Sequence, residues 1–178
     1  VRDRAAGWQD GPVTDYRIFN VEKECEAALD AAAAAIEAGE VIVLPTDTVY
    51  GVGSDPFSRA AVQRLLDAKE RGRDMPPPLL IAEPAMLRAL VVDVPVEVDA
   101  LINRFWPGAL TLVLPRRPHT PLSELVSAGL DTVALRVPAH PVALALLQKA
   151  DLPIAAPSAN PSGRISPTMA VSLVKRWW

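Results

Sequence analysis

Four clusters of polar residues in this sequence carry side chains able to handle a charged substrate, and each closes an apolar run. Pro45-Thr46-Asp47-Thr48-Val49-Tyr50-Gly51 follows Val41 to Leu44. Lys69-Glu70-Arg71-Gly72-Arg73 packs three cations into one short turn. Thr111 lies within Pro107-Gly108-Ala109-Leu110-Thr111-Leu112, and Pro157-Ser158-Ala159-Asn160 follows Pro153-Ile154-Ala155-Ala156. Cations, hydroxyls and an amide at the ends of buried strands suit a phosphorylated nucleotide. The spacing predicts chemistry on a triphosphate.

Each cluster also has a purely structural reading. Thr46, Asp47 and Thr48 can bond their own backbone in a turn. Against that, Gly51 and Gly53 permit close backbone approach and Tyr50 adds a ring with a hydroxyl. Lys69, Arg71 and Arg73 can complement a helix C-terminus. They can equally cradle phosphates, with forks from arginine and a point charge from lysine. Charge-assisted hydrogen bonds of about 1.5–3 kcal/mol each would let three cations hold a polyphosphate. Met75-Pro76-Pro77-Pro78 stiffens the return from that turn. Ser158 and Asn160 read either as a turn cap or as ligands for phosphate or ribose. Ser158 has no flanking glycines, so a nucleophile elbow is excluded.

Other classes drop out. Neither GxxxxGK[ST] nor GxGxxG occurs. Cys25, His119 and His140 have no zinc spacing, whereas magnesium carried by a nucleotide needs few protein ligands. Trp106 reads as core or as the wall of a lid, with base stacking as the alternative.

The positioning elements follow from pattern and punctuation. The 178 residues are half apolar, enough for one domain burying roughly 70% of its unfolded surface. A net charge of -3 disfavours bulk attraction to nucleic acid, so any RNA contact needs a local basic patch. One cysteine excludes an intrachain disulfide, and a start without an apolar core is no signal peptide, so a cytoplasmic protein is expected. The 18 prolines punctuate apolar runs and predict many short elements with rigid connections. Helices are predicted at residues 22–38, 58–69, 84–90, 96–105, 141–149 and 167–176. Strands are predicted at 41–44, 78–82, 110–114, 132–137 and 153–156. The apolar runs predict strands buried on both faces, hence an α/β or α+β fold with a mixed, helix-covered sheet.

Together these segments are similar to the YrdC-type family, the L-threonylcarbamoyladenylate synthases. The resemblance rests on 45–51, the Lys69-x-Arg71 pair with Arg73, and Phe105-Trp106-Pro107-Gly108 leading into 110–114. It continues through Gly129 to Pro138, His140-Pro141 and 153–163. It covers about residues 36–168 of a single domain spanning 1–178, with 1–20 as an N-terminal extension. The resemblance implies an open, twisted mixed sheet flanked by helices, with a concave basic face. It implies formation of threonylcarbamoyl-AMP and pyrophosphate from L-threonine, bicarbonate and ATP. Magnesium would arrive with the nucleotide, and the product would feed N6-threonylcarbamoyladenosine in tRNA through a separate transferase complex. Contact with tRNA or double-stranded RNA is also implied.

On this resemblance Lys69 and Arg71 are the expected catalytic cations, with Arg73 beside them on the triphosphate. Thr111, Ser158 and Asn160 would hold the nucleotide. Thr48, Thr132 and Ala134 would line the threonine pocket, Ala134 at its nucleotide side. Arg136 would either pair the threonine carboxylate or buttress the site. Pro77 and Ala82 stand where many relatives carry polar residues. Relatives continue past the last helix with a Ser-Thr pair and an arginine, so a C-terminally shortened domain is expected. The alternatives are a noncatalytic RNA-binding module of the same fold and a carbamoyl phosphate enzyme of the hydrogenase-maturation type.

Overall fold

Alanine, the best helix former, dominates the first helix, α1 (Cys25–Glu37). It stops where Gly39 turns to a φ of +73°. Gly39 N donates to the Ile36 carbonyl and Glu40 N to Ala35, the paired bonds of a Schellman motif. The computed structural model describes residues 16–69, 75–161 and 163–170.

Local signals also set the other helices. Ser58 Oγ accepts from Ala61 N at 3.3 Å and opens α2 (Arg59–Ala68), whose Ala61, Val62, Leu65 and Leu66 are buried. A 3₁₀ turn at Pro84–Met86 leads into the short α3 (Leu87–Leu90). Helix α4 (Val96–Phe105) carries Glu97 and Asp99 in its first turn and Arg104 in its last, as the helix dipole favours. Helix α5 (Glu124–Ser127) is capped by Ser123. Helix α6 (Pro141–Ala150) starts with proline in its first turn and with His140 Nδ1 accepting from Val142 N.

The strands are β1 (Ile42–Leu44), β2 (Gly51–Gly53), β3 (Leu79–Leu80), β4 (Leu112–Pro115), β5 (Thr132–Arg136) and β6 (Ile154–Ala155). The main sheet has the order β4-β5-β3-β6, with β5 parallel to β3 and the outer pairs antiparallel. The antiparallel pair β1–β2 extends it beyond β6. Ser54 and Ala155 exchange two backbone bonds of 3.1 and 3.0 Å, and Val52 N donates to Pro157 O. An α/β sheet flanked by helices is therefore present, as expected.

Two cores hold it. Leu112, Leu114, Val133 and Leu135 share one face with Leu65, Leu87, Ile102 and Leu125 of the helices. On the other face Leu80 and Ile154 pack with Leu29 and Ile36 of α1 and Leu146 and Leu147 of α6. That second layer stops short of β4 and β5. There Val113 pairs with Ala134 and Pro115 with Thr132 on an uncovered surface, and Val113 is 64% exposed.

The expectation of strands buried on both faces holds for β3 and β6 but is corrected for β1, β4 and β5. In β1, Ile42 is half-buried, Val43 exposed and Leu44 buried. In β4 burial alternates residue by residue. Both strands bond to one neighbour only among the described residues, so each is an edge, and each also has one wet face where no layer covers it. Most of the expected last helix, and Arg71 and Arg73, lie outside the described residues. Among the described residues no helix is long and apolar enough to cross a membrane.

Candidate functional site

A cavity of about 120 Å³ opens on the uncovered face. Its walls bring together Thr48, Thr111, Arg136 and Ser158 over an apolar floor that includes Pro78 and Leu80. Four segments far apart in the sequence thus deliver polar groups to one place. The sheet register explains this, because Leu80 of β3 pairs with Arg136 and Leu112 of β4 with Leu135. The strands end together, and the loops that follow or precede them form the rim.

The 45–51 segment is shaped by its own hydroxyl. Thr46 Oγ1 donates to Val49 O at 2.6 Å and accepts from the backbone N–H groups of Thr48 and Val49, both at 3.3 Å. The structural reading is correct for Thr46, which lines the cavity together with Thr48. Arg136 comes from the end of β5. Its Nε donates to Gly108 O at 2.8 Å, Nη1 to Thr48 Oγ1 at 2.9 Å, and Nη2 to Asp47 Oδ1 at 2.5 Å. These three bonds suit the buttress among the two roles open to Arg136. Gly108 is required beside it, since a Cβ there would overlap the Phe105 carbonyl oxygen. Trp106 is core, with Nε1 donating to Leu110 O at 2.7 Å.

The opposite rim is organised by Lys69, which closes α2 and is only 2% exposed. Its ammonium donates to the backbone carbonyls of Ser158 and Asn160, the latter at 2.6 Å. Asn160 does not present its amide to the cavity. Its Nδ2 donates to Pro161 O at 3.0 Å and Arg164 O at 2.7 Å, and its Oδ1 accepts from Ser166 Oγ at 3.2 Å. The side chain is a strut for the loop, and Ser158 is the member of that loop facing the cavity.

Thr132 and Ala134 share the face of Arg136 but lie about 13 and 7 Å back along β5 at some 3.3 Å per residue, outside the cavity lining. Asp47 and Gly108 were not singled out as site residues from sequence, and both hold Arg136 in place. Among the described residues no group of three or more His, Cys, Asp or Glu side chains is arranged to ligate a metal. A wider groove of about 700 Å³ between residues 84–94 and α4 contains none of the expected site residues. Its rim mixes Arg88 and Arg117 with Asp93 and Asp99, so it offers no single charge to a ligand. The smaller cavity, where convergent polar groups meet Arg136, is the candidate site.

Comparison with known proteins places the chain in a family. Residues 34–177 match the family model Sua5_yciO_yrdC, described as telomere recombination. The chain is 50% identical over 139 residues to the threonylcarbamoyl-AMP synthase of Bacillus subtilis, covering 78% of this chain and 40% of that one. It is 45% identical over 154 residues to the synthase of Pyrococcus abyssi, covering 86% and 45%. The solved structure of P. abyssi Sua5 complexed with L-threonine superposes with a TM-score of 0.81 at 43% identity, over 85% of this chain and 44% of that one. The chain thus spans rather less than half the length of these relatives.

Proposed function

Because the chain belongs to the Sua5–YciO–YrdC family, we propose that it carries the catalytic core of a threonylcarbamoyl-AMP synthase. The observation that carries this reading is the cavity where Thr48 and Arg136 face Thr111 and Ser158, with Lys69 behind the 158–160 loop. The similar Sua5 of P. abyssi is known in complex with L-threonine, which supports an amino-acid ligand here.

The substrates are L-threonine, bicarbonate and ATP. The threonine amine and bicarbonate give a carbamate with loss of water. A carbamate oxygen then attacks the α-phosphorus, a P–O bond forms, and the bond to the β-phosphate oxygen breaks to release pyrophosphate. The carbamate is a weak nucleophile, so the protein contributes position and fixed charge rather than a covalent intermediate. Thr48 would hold the amino acid. Thr111 and Ser158 would hold the nucleotide, with Ala134 and Thr132 along the same face. Lys69, with Arg71 and Arg73 of the adjoining segment, would answer the phosphate charge. Asp47, the carboxylate next to Thr48 in sequence, is already paired with Arg136. The donor set therefore suits magnesium that arrives on the triphosphate rather than a protein-held ion. Threonylcarbamoyl-AMP would pass to a transferase complex acting on tRNA in the cytoplasm.

Pyrophosphate release by the purified chain, with and without L-threonine and bicarbonate, tests this. Release requiring both co-substrates is expected. Binding of RNA with a steep salt slope and no affinity for ATP would overturn it in favour of a binding module.

A further inference from the structure

The fork of Arg136 gathers a carboxylate, a hydroxyl and a carbonyl from two loops that lie some sixty residues apart in the chain. Both members of the Asp47–Arg136 ion pair are largely withdrawn from solvent, at 19% and 11% exposure. On the footing of the synthase reading, we infer that Asp47 is a positioning residue. Acting through Arg136, it fixes the Thr48 hydroxyl toward the substrate.

The hydrogen bonds lead there. A hydroxyl offers one proton and two lone pairs. Thr46 commits its proton to Val49 O at 2.6 Å and accepts from the N–H groups of Thr48 and Val49 at 3.3 Å. Its hydroxyl is then filled, so the 3.1 Å approach of Thr48 Oγ1 leaves the Thr48 proton available. Arg136 has donors only, so its 2.9 Å bond occupies one lone pair of Thr48. One proton and one lone pair of Thr48 remain for a ligand at the cavity, and the Arg136 bond sets where they point.

Asp47 holds this arrangement. Its carboxylate takes Nη2 of the fork and answers the guanidinium charge, while Gly108 O takes Nε. With two edges of a planar group pinned, Nη1 is aimed at Thr48. Without Asp47 the fork is free to turn toward the carboxylate of the substrate, and Thr48 loses its fixed donor.

The test is a double-mutant cycle on the full chain, read by calorimetric titration with L-threonine and separately with ATP. Asp47→Asn is expected to weaken L-threonine binding at least about tenfold, the loss of one charge-assisted contact, with ATP affinity within about twofold. In a Thr48→Val background the same Asp47→Asn change is expected to add little, because its route to the substrate is gone. Unchanged threonine affinity in Asp47→Asn, or fully additive losses, overturns the inference. Arg136→Lys keeps the charge and removes the fork, so it carries the same test should Asp47→Asn fail to fold. An unaltered chain that binds no L-threonine overturns the synthase reading itself, a result distinct from a failure of the latch alone.

Discussion

Two cations of the candidate site are held in different ways: Arg136 lines the cavity, and Lys69 stands behind the 158–160 loop. Arg136 gives one arm of its fork to the Asp47 carboxylate and the others to a hydroxyl and a carbonyl. Lys69 donates to the carbonyls of Ser158 and Asn160 from a position almost without solvent contact. The rim built on residues 45–51 is closed by an ion pair and sets direction. The rim built on 158–160 is braced from behind by an ammonium on its carbonyls. This division suits an amino acid on one side and phosphate on the other.

The largest effect should come from breaking the second rim. Lys69→Met keeps the volume and removes the charge, leaving two buried carbonyls without their donor. The cost is expected at about 2–4 kcal/mol by urea unfolding, reduced to the extent that a buried charge is no longer desolvated. ATP affinity should fall far more than L-threonine affinity. Equal losses for both ligands would erase the distinction between the rims.

The closed rim is broken next by Gly108→Ala. The new methyl would meet the Phe105 carbonyl oxygen, and relief of that overlap must move the Gly108 carbonyl that receives Arg136 Nε. A loss of about 1–3 kcal/mol is expected in thermal unfolding. Threonine affinity should fall and ATP affinity should hold. Thr46→Val should follow at about 1 kcal/mol, since it deletes the hydroxyl that ties Val49 and Thr48 into one turn. A Thr46→Val protein as stable as the unaltered chain would show that the backbone keeps the turn alone.

The difference between the rims also marks what the sequence disclosed. Helix limits were legible where a single residue sets them. Ser58 caps α2, proline opens α6, Gly39 ends α1, and α4 runs over the predicted residues 96–105. The convergence of Thr48, Thr111, Arg136 and Ser158 was legible because each sits at the end of a strand. Three things were not. Edge strands β1 and β4 look like interior strands in composition, since wetting of one face depends on where the covering layer stops. The Asp47–Arg136 pair joins residues 89 apart, and no local spacing encodes it. Asn160 turns its amide into its own loop, a choice fixed by the Pro161, Arg164 and Ser166 groups that fold back around it.

A third cation sharpens the comparison by serving as its exposed control. Lys149 of α6 bonds Asp30 of α1 and lies 3.3 Å from Glu26, all at the surface. Its pKa is raised above the ordinary 10.5, first by the hydrogen bond to Asp30, with partial desolvation opposing and Glu26 adding. A lysine whose pKa rises on folding stabilises fully below its unfolded value, and the contribution is lost as pH climbs through the folded one. The pair should therefore add no slope to stability between pH 6 and 9, and its loss should begin only above about 10.5. Lys149→Met should lower the melting temperature slightly at neutral pH, and salt should shrink the difference, because exposed pairs are screened. Salt should leave the Lys69→Met penalty nearly unchanged, since water and ions do not reach that ammonium. Equal salt sensitivity in the two variants would mean that burial does not separate the cation behind the 158–160 loop from the one at the surface.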